Sequence, residues 1–478
     1  MAHGDGDGSA FALETSEDPS AITKYLCAAA YLDAQFASTV VSQVLEERHR
    51  FVAPSYGVDV PTVVRHCLDA RRREVILQSV LATLLLLAWL PYSPRKIVFF
   101  FLLAWAAVFG ETLYRRHVIV ARRIAKGDSD PGITDGQHKH RLDQLATDQR
   151  EGNITVYGGF SPFVGSGTPV DGWSFVLDLT RRTDNGNASH TAHAVDVVEL
   201  HDFVAAGLHR LQVPGLRVED RLFVNGQEIR DDRRFLPDPD SRPLTRVDPD
   251  LVRSFVGRQT SSARGYLCAR VVDWRGELVV SVYLRFLSVS GNLFAEANYY
   301  VLPGLKHRYH SADAITAEPT VRQVTRLLRE SLRKTPLATL KAPLGVGAWL
   351  LTPWQRRSSD SATRRAIREN PSFDYGARAS IRELAMSGDF RRYFQRVDKE
   401  MYTKLLEHRI LDLVVQFLDD RNVDTGELRE RRNVIVNNGV MLSGGTFQAD
   451  SVAVGKNATS SVRRVERVRQ AASGASGD

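Results

Sequence analysis

Residues 75–114 constrain this chain more than any other stretch. They read VILQSVLATLLLLAWLPYSPRKIVFFFLLAWAAVFGETLY, two apolar runs around Pro91-Tyr92-Ser93-Pro94-Arg95-Lys96. The runs, 75–90 and 97–113, are about 16 residues each, or roughly 24 Å as helix. That is short of the roughly 20 residues that cross a hydrocarbon core comfortably. Flanking side chains make up the difference. Arg73 and Lys96 can snorkel, and Trp89, Tyr92, Trp105 and Tyr114 suit the headgroup zone. No charge interrupts either run before Glu111. The pattern predicts a membrane hairpin of two helices, with the bilayer as the first partner.

Basic residues set its orientation. Arg71, Arg72 and Arg73 precede the first run, and Arg115, Arg116, Arg122 and Arg123 follow the second, against only Arg95 and Lys96 between them. The positive-inside rule places both flanks, and so both termini, in the cytoplasm of a two-span protein. A hairpin that dips into one leaflet is the alternative geometry. The acidic, small-residue start, MAHGDGDGSAFALETSEDPS, lacks the basic and apolar regions of a cleavable signal. Three widely spaced cysteines, Cys27, Cys67 and Cys268, exclude a disulfide framework and a cysteine zinc site, and fit a reducing compartment. The formal net charge is +7. Without zinc-finger or aromatic RNA-binding signatures, that charge points to lipid headgroups rather than nucleic acid.

Around the hairpin the chain divides into segments. Residues 1–20 read as disordered and 21–74 as a helical N-terminal cap. The cap has apolar spacing over 21–47 and a second helix opened by Asp59-Val60-Pro61. Residues 115–150 read as an exit helix and a polar linker. Residues 151–310 form an α+β body. Strands are expected at 153–157, 172–179, 216–225, 266–272, 278–289 and 293–302, with a helix at 193–211. The last three strands, joined by tight polar turns, form an antiparallel meander. In the middle one Val280, Val282, Leu284 and Phe286 alternate with Ser281, Tyr283, Arg285 and Leu287, which suits a sheet with one covered face. One helix among strands excludes a doubly wound nucleotide fold. Residues 311–425 read as a basic helical region. Within it 337–354 is apolar but interrupted by Pro343, Gly345, Gly347 and Pro353, too broken to span as a helix, and suited to lie at a bilayer surface or pack on the body. Residues 430–462 form a short Asn/Gly-rich β tail that needs a second copy or another surface to pair with. Residues 463–478 read as disordered.

Candidate chemistry is sparse. The loop of Gly158, Gly159, Gly165 and Gly167 can present backbone amides to an anion, although it matches neither the phosphate-loop nor the dinucleotide pattern. His190/His193 and His307/His310 are spaced by three, and His138, His140 and Asp143 sit close together. None carries a zinc-site signature, so no metal and no cofactor is expected. Ser331 and Lys334 have the spacing of Ser/Lys acyl enzymes without the companion motifs. The segments 157–167, Gly172-Trp-Ser-Phe175, Arg221-Leu-Phe-Val-Asn-Gly226 and the Arg-flanked hairpin resemble a group of uncharacterised actinobacterial membrane proteins. The tail with Ser443-Gly-Gly-Thr446 is similar to tails on actinobacterial signalling or conflict proteins. The resemblance implies a two-helix hairpin with a cytoplasmic α+β body, and no activity. The expectation is a non-enzymatic, membrane-anchored cytoplasmic binding or scaffold protein. It would have an unknown cytoplasmic protein partner and self-assemble through 430–462. Two alternatives are a membrane-acting sensor or effector of a defence or stress system, and an enzyme built on the glycine-rich loop.

Overall fold

A computed structural model describes residues 20–89, 94–124, 131, 136–180, 195–316 and 318–430. The expectations for 1–19, the turn at 91–93 with Tyr92, His190 and His193, the tail from 431 onward and the terminal residues therefore lie outside the described residues. Contacts divide the chain into two units, Met1–Asp424 and Thr425–Asp478. Of the second, residues 426–430 are seen as a helical turn.

The first unit opens with α1 (Ser20–Leu32) and α2 (Ala34–Val40), which runs on as a π-helical turn, Val41–Glu46. Asp33 breaks the helix expected over 21–47 by adopting an extended backbone and capping α2 through Phe36 N–H. The next helix, α3 (Val60–Trp89), is one unbroken rod of 30 residues, about 45 Å long. It joins the cap helix to the first apolar run. Helix α4 (Pro94–Leu113) continues as a π-helical segment, Tyr114–Arg123. Of the two apolar runs, one lies in a helix long and apolar enough to cross a membrane, Arg95–Arg123. In α3 the charged Arg71, Arg72, Arg73 and Glu74 close off the apolar stretch at its start. Leu81 of α3 packs on Ala104 and Val108 of α4. The polar linker expected up to residue 150 gives way in its second half to α5 (Gly136–Glu151), whose Leu142 and Leu145 are buried in the N-terminal helical core.

The body is α+β, built on one mixed six-stranded sheet with the order β1-β3-β4-β5-β6-β2. The strands are β1 (Ile154–Tyr157), β2 (Thr168–Asp178), β3 (Leu216–Asn225), β4 (Ala263–Asp273), β5 (Leu278–Val289) and β6 (Asn292–Leu302). β1 pairs parallel with β3 and all other pairs are antiparallel, so the meander β4-β5-β6 forms as expected. Its middle strand departs from the expectation of one covered face. Both sides of β5 are buried. One packs on α6 (Val197–His209) and α11 (Tyr393–Asp419). On the other, Tyr283 stacks on Phe163 within a cluster including Phe223 and Tyr266. Polar residues pass as an outward face in sequence, but Arg285 is buried with a partner, facing Glu296 at 3.6 Å.

Helix α9 (Val321–Glu369) is the largest departure. Expected breaks at Pro343 and Pro353 do not occur, and the helix runs unbroken through Pro336, Pro343 and Pro353. Each proline removes one helical hydrogen bond. Packing against α3 and α4 compensates, with Ala338 and Ala342 set against Leu77, Leu81 and Ala104. Helix α9 starts against the N-terminal helical core and ends against the body. Before it, the Thr316 carbonyl contacts His117 Nδ1 at 2.8 Å. Near its end, Ile367 shares a core with Phe51 and Ile154. Its middle contacts the α3–α4 pair, its start pairs Glu330 with Arg116 beyond α4 at 3.2 Å, and towards its end Arg356 pairs with Glu46 of the N-terminal cap at 2.7 Å.

Candidate functional site: an arginine-lined cavity

The glycine-rich loop holds an anion, but the anion is the protein's own. Gly165 and Gly167 N–H donate to one oxygen of Glu383 at 2.9 and 3.0 Å. The other oxygen of Glu383 accepts from Ser380 N–H at 2.8 Å, closing the N-cap of the short α10 (Ile381–Ala385). Gly158 N–H donates to the Ala377 carbonyl at 3.1 Å. Gly159 has open space where a Cβ would sit. Gly165 and Gly167 are required by backbone as well as amides. Their φ values are +96° and +86°, and a Cβ would lie 2.5 Å from the Pro54 carbonyl or 2.2 Å from that of Val301.

The basic residues expected beside lipid mostly make ion pairs. Arg71 bonds Glu46 at 2.5 Å, Arg73 bonds Asp69 at 2.8 Å, and Arg115 bridges Glu74 and Glu111 at 3.1 and 2.8 Å. Arg73 also lies over the Tyr114 ring. Arg72, Lys96 and Trp89 are exposed. Trp105 donates its indole N–H to Ser331 of α9 at 3.0 Å, so it joins two helices in the middle of α4. With Lys334 paired to Glu330, Ser331 and Lys334 serve packing. His310 is buried 3.5 Å from Glu277, and burial holds its pKa below the ordinary imidazole range. Among the described residues no group of three or more His, Cys, Asp or Glu is placed to hold a metal.

A cavity of about 610 Å³ opens elsewhere, between the loop 51–61, the end of α5, β3 and β4. Its basic lining is Arg150, Arg217, Arg221, Arg242, Arg270 and Arg275. Its acids are Asp59, Asp148, Glu219 and Asp273. Strand periodicity creates the centre. Arg217, Glu219 and Arg221 alternate on one face of β3, and Arg270 of β4 lies directly across from Arg217. Like charges so placed repel, and Glu219 sits between them. It accepts from Arg221 Nη2 at 3.0 Å and from Arg270 Nη2 at 3.2 Å. Burial works against its charge, but the two guanidinium groups more than offset this and hold the carboxyl below the usual range. Burial likewise opposes charge on Arg221. Tyr56 and Glu219 outweigh it, and its pKa lies above the ordinary value. Arg270 stacks over Tyr56, its guanidinium carbon 3.3 Å from the ring centre.

The acids are already engaged. Asp148 accepts from Thr245 at 2.7 Å, Asp59 accepts from Thr62 at 2.7 Å, and Asp273 accepts from Tyr402 at 2.7 Å. Several guanidinium donors are not. Arg242 Nε and Nη1 and Arg270 Nε are buried without a hydrogen-bond partner among the described residues. The lining holds no His, Cys or Lys. Arginine keeps its proton at any working pH, so this wall can hold negative charge but is poorly equipped to move protons.

Residues 172–448 match the family model of the AbeC-like domain. The chain belongs to the AbeC-like family. That matched stretch carries β3, β4, five of the six cavity arginines and α9, whereas Arg150, Tyr56, α3 and α4 precede it. No curated protein and no solved structure matches the chain. The AbeC-like match adds a family and no activity, so function rests on the site. Sequence reading missed this cavity. The signal was present in Arg217-Val-Glu219-Asp-Arg221, which sets three charges at alternate positions on one face of the strand.

Proposed function

We propose that this chain is a membrane-anchored cytoplasmic binding protein, not an enzyme, with α3 and α4 as its two membrane segments and the AbeC-like body presented beside the bilayer. One observation carries the reading. Large apolar side chains stand exposed across three helices that pack together. They include Leu86 and Trp89 on α3, Phe99 and Leu102 on α4, and Leu344 and Trp349 on α9. Exposed apolar area on that scale marks a membrane or partner surface rather than an ordinary wet one. Charged pairs ring the end of this surface, as expected at a headgroup boundary. Because α9 starts against the helical core and ends against the body, it enters this reading as a helix lying across the pair at the interface, with Trp349 and Trp354 as anchors. The arginine cavity supplies a binding role, and the engaged amides of the glycine-rich loop remove the main support for an enzyme there. Self-assembly through 430–462 belongs to the same proposal, on the Asn/Gly pattern of that sequence.

Fractionation followed by protease protection tests it, with epitope tags at Ala21 and Asp478. The chain should resist carbonate extraction, and both tags should survive until the membrane is opened. Release by carbonate refutes the anchoring, and a C-terminal tag removed from outside refutes the cytoplasmic orientation. Unchanged self-association after deletion of 430–462 removes the role of the tail.

A further inference from the structure

The cavity on β3 and β4 has the volume of a small-molecule site, which typically measures about 300–1,000 Å³. Its wall combines two features that packing alone does not favour. Arg217 and Arg270 face each other across strands with a single carboxylate, Glu219, set beside them. Three guanidinium nitrogens, two on Arg242 and one on Arg270, are buried without a partner among the described residues. A buried donor left unpaired is costly, more so when charged. Arg270 itself is 5% exposed and stacked on Tyr56, so it is fixed in place before any ligand arrives.

We propose that this cavity binds a small organic anion, its phosphate or carboxylate held by Arg242 and Arg270 and its carbon portion lying against Phe51, Val58 and Ile154. Guanidinium groups match both oxyanions through paired N–H bonds, and the apolar residues of the same lining suit a ligand that is more than a bare ion. Glu219 does not compete for the free donors. Its oxygen Oε1 is already shared by Arg221 and Arg270, both through Nη2, and Arg242 Nη2 donates to the Glu47 carbonyl, which leaves Arg270 Nε and Arg242 Nε and Nη1 without a partner among the described residues. The inference deepens the binding role proposed above, but its test reads the cavity whether or not the chain holds lipid. Failure of one therefore leaves the other standing.

The experiment is calorimetric titration of the full chain in phosphatidylcholine nanodiscs with inorganic phosphate, AMP and citrate at constant ionic strength. At least one probe should bind with a Kd tighter than about 1 mM. Arg242→Gln and Arg270→Gln should each weaken that binding by about tenfold or more. Arg253→Gln, at a surface pair with Asp202 outside the cavity, should leave it unchanged. Binding by phosphate probes alone assigns a phosphate ligand, and binding by citrate alone a carboxylate. A second set of nanodiscs containing phosphatidylglycerol separates lipid from solute. If the headgroup occupies the site, probe binding weakens there. No binding by any of the three probes to the wild-type chain overturns the proposal, even if Arg270→Gln does not fold. Binding indifferent to Arg242→Gln places the anion elsewhere and overturns it too.

Discussion

Glu383 holds the glycine-rich loop to α10, and its removal gives a sharp measure of that bond. Its carboxylate accepts three backbone N–H groups, from Gly165, Gly167 and Ser380, at 2.8–3.0 Å. Glu383→Ala leaves those donors without an acceptor in a partly buried site. Hydrogen bonds to a charged acceptor contribute about 1.5–3 kcal/mol each, and water entering the gap returns part of that. The expected loss is about 3–5 kcal/mol. Glu383→Gln keeps one oxygen for the two glycine amides but turns an N–H₂ toward Ser380 N–H, so it should lose about half as much. In thermal melts of the purified chain, at about 2 °C per kcal/mol for a fold of this size, Glu383→Ala should melt about 6–10 °C lower. Glu383→Gln should fall between it and wild type. A Glu383→Ala chain that melts within about 1 °C of wild type refutes the claim that this carboxylate organises the loop.

Among the glycines, Gly167→Ala should cost several kcal/mol because a Cβ meets the Val301 carbonyl at 2.2 Å, whereas Gly159→Ala, in open space at φ +76°, should cost only about 1 kcal/mol; melting temperatures of the two variants check the ranking. Glu407 has its pKa pushed up to about 7, by burial first and by Asp171 second. Its folded pKa lies above its unfolded value, so its contribution is fully present below about pH 4 and is lost as pH rises through about 7. Glu407→Gln should therefore be more stable than wild type at pH 8, by about 1–2 kcal/mol after allowing for solvent screening, with the gap closing toward pH 5 in a pH series of melts. Ala342 is buried between α9 and the α3–α4 pair. Ala342→Leu should overpack that contact by about 1–3 kcal/mol, and quenching of tryptophan fluorescence by brominated lipid should change as Trp349 shifts.

What the sequence made legible follows from where the determining contacts lie. All six strands could be read because alternation and tight turns such as Ser290-Gly291-Asn292 are local signals. The cap of α3 was equally local, with Asp59 accepting from Thr62. Helix α9 was misread because its prolines are strong local breakers, while the contacts that hold it, such as Trp105 to Ser331, span 226 residues. The cavity was invisible for the same reason. Tyr56 and Arg270 meet only once the cap folds against the sheet. In the glycine-rich loop, sequence reading identified amides suited to an anion, but Glu383 lies more than 200 residues downstream.

Helix α3 has its first turn, Val60 and Pro61, in the wall of the cavity, and its last turns, through Trp89, in the apolar surface shared with α4 and α9. No proline, glycine or break interrupts it after that first turn. A rod without a joint cannot absorb movement within itself. One continuous helix of about 45 Å therefore joins the cavity wall to the apolar surface. The same helix that closes one edge of the arginine cavity thus ends in exposed leucine and tryptophan side chains.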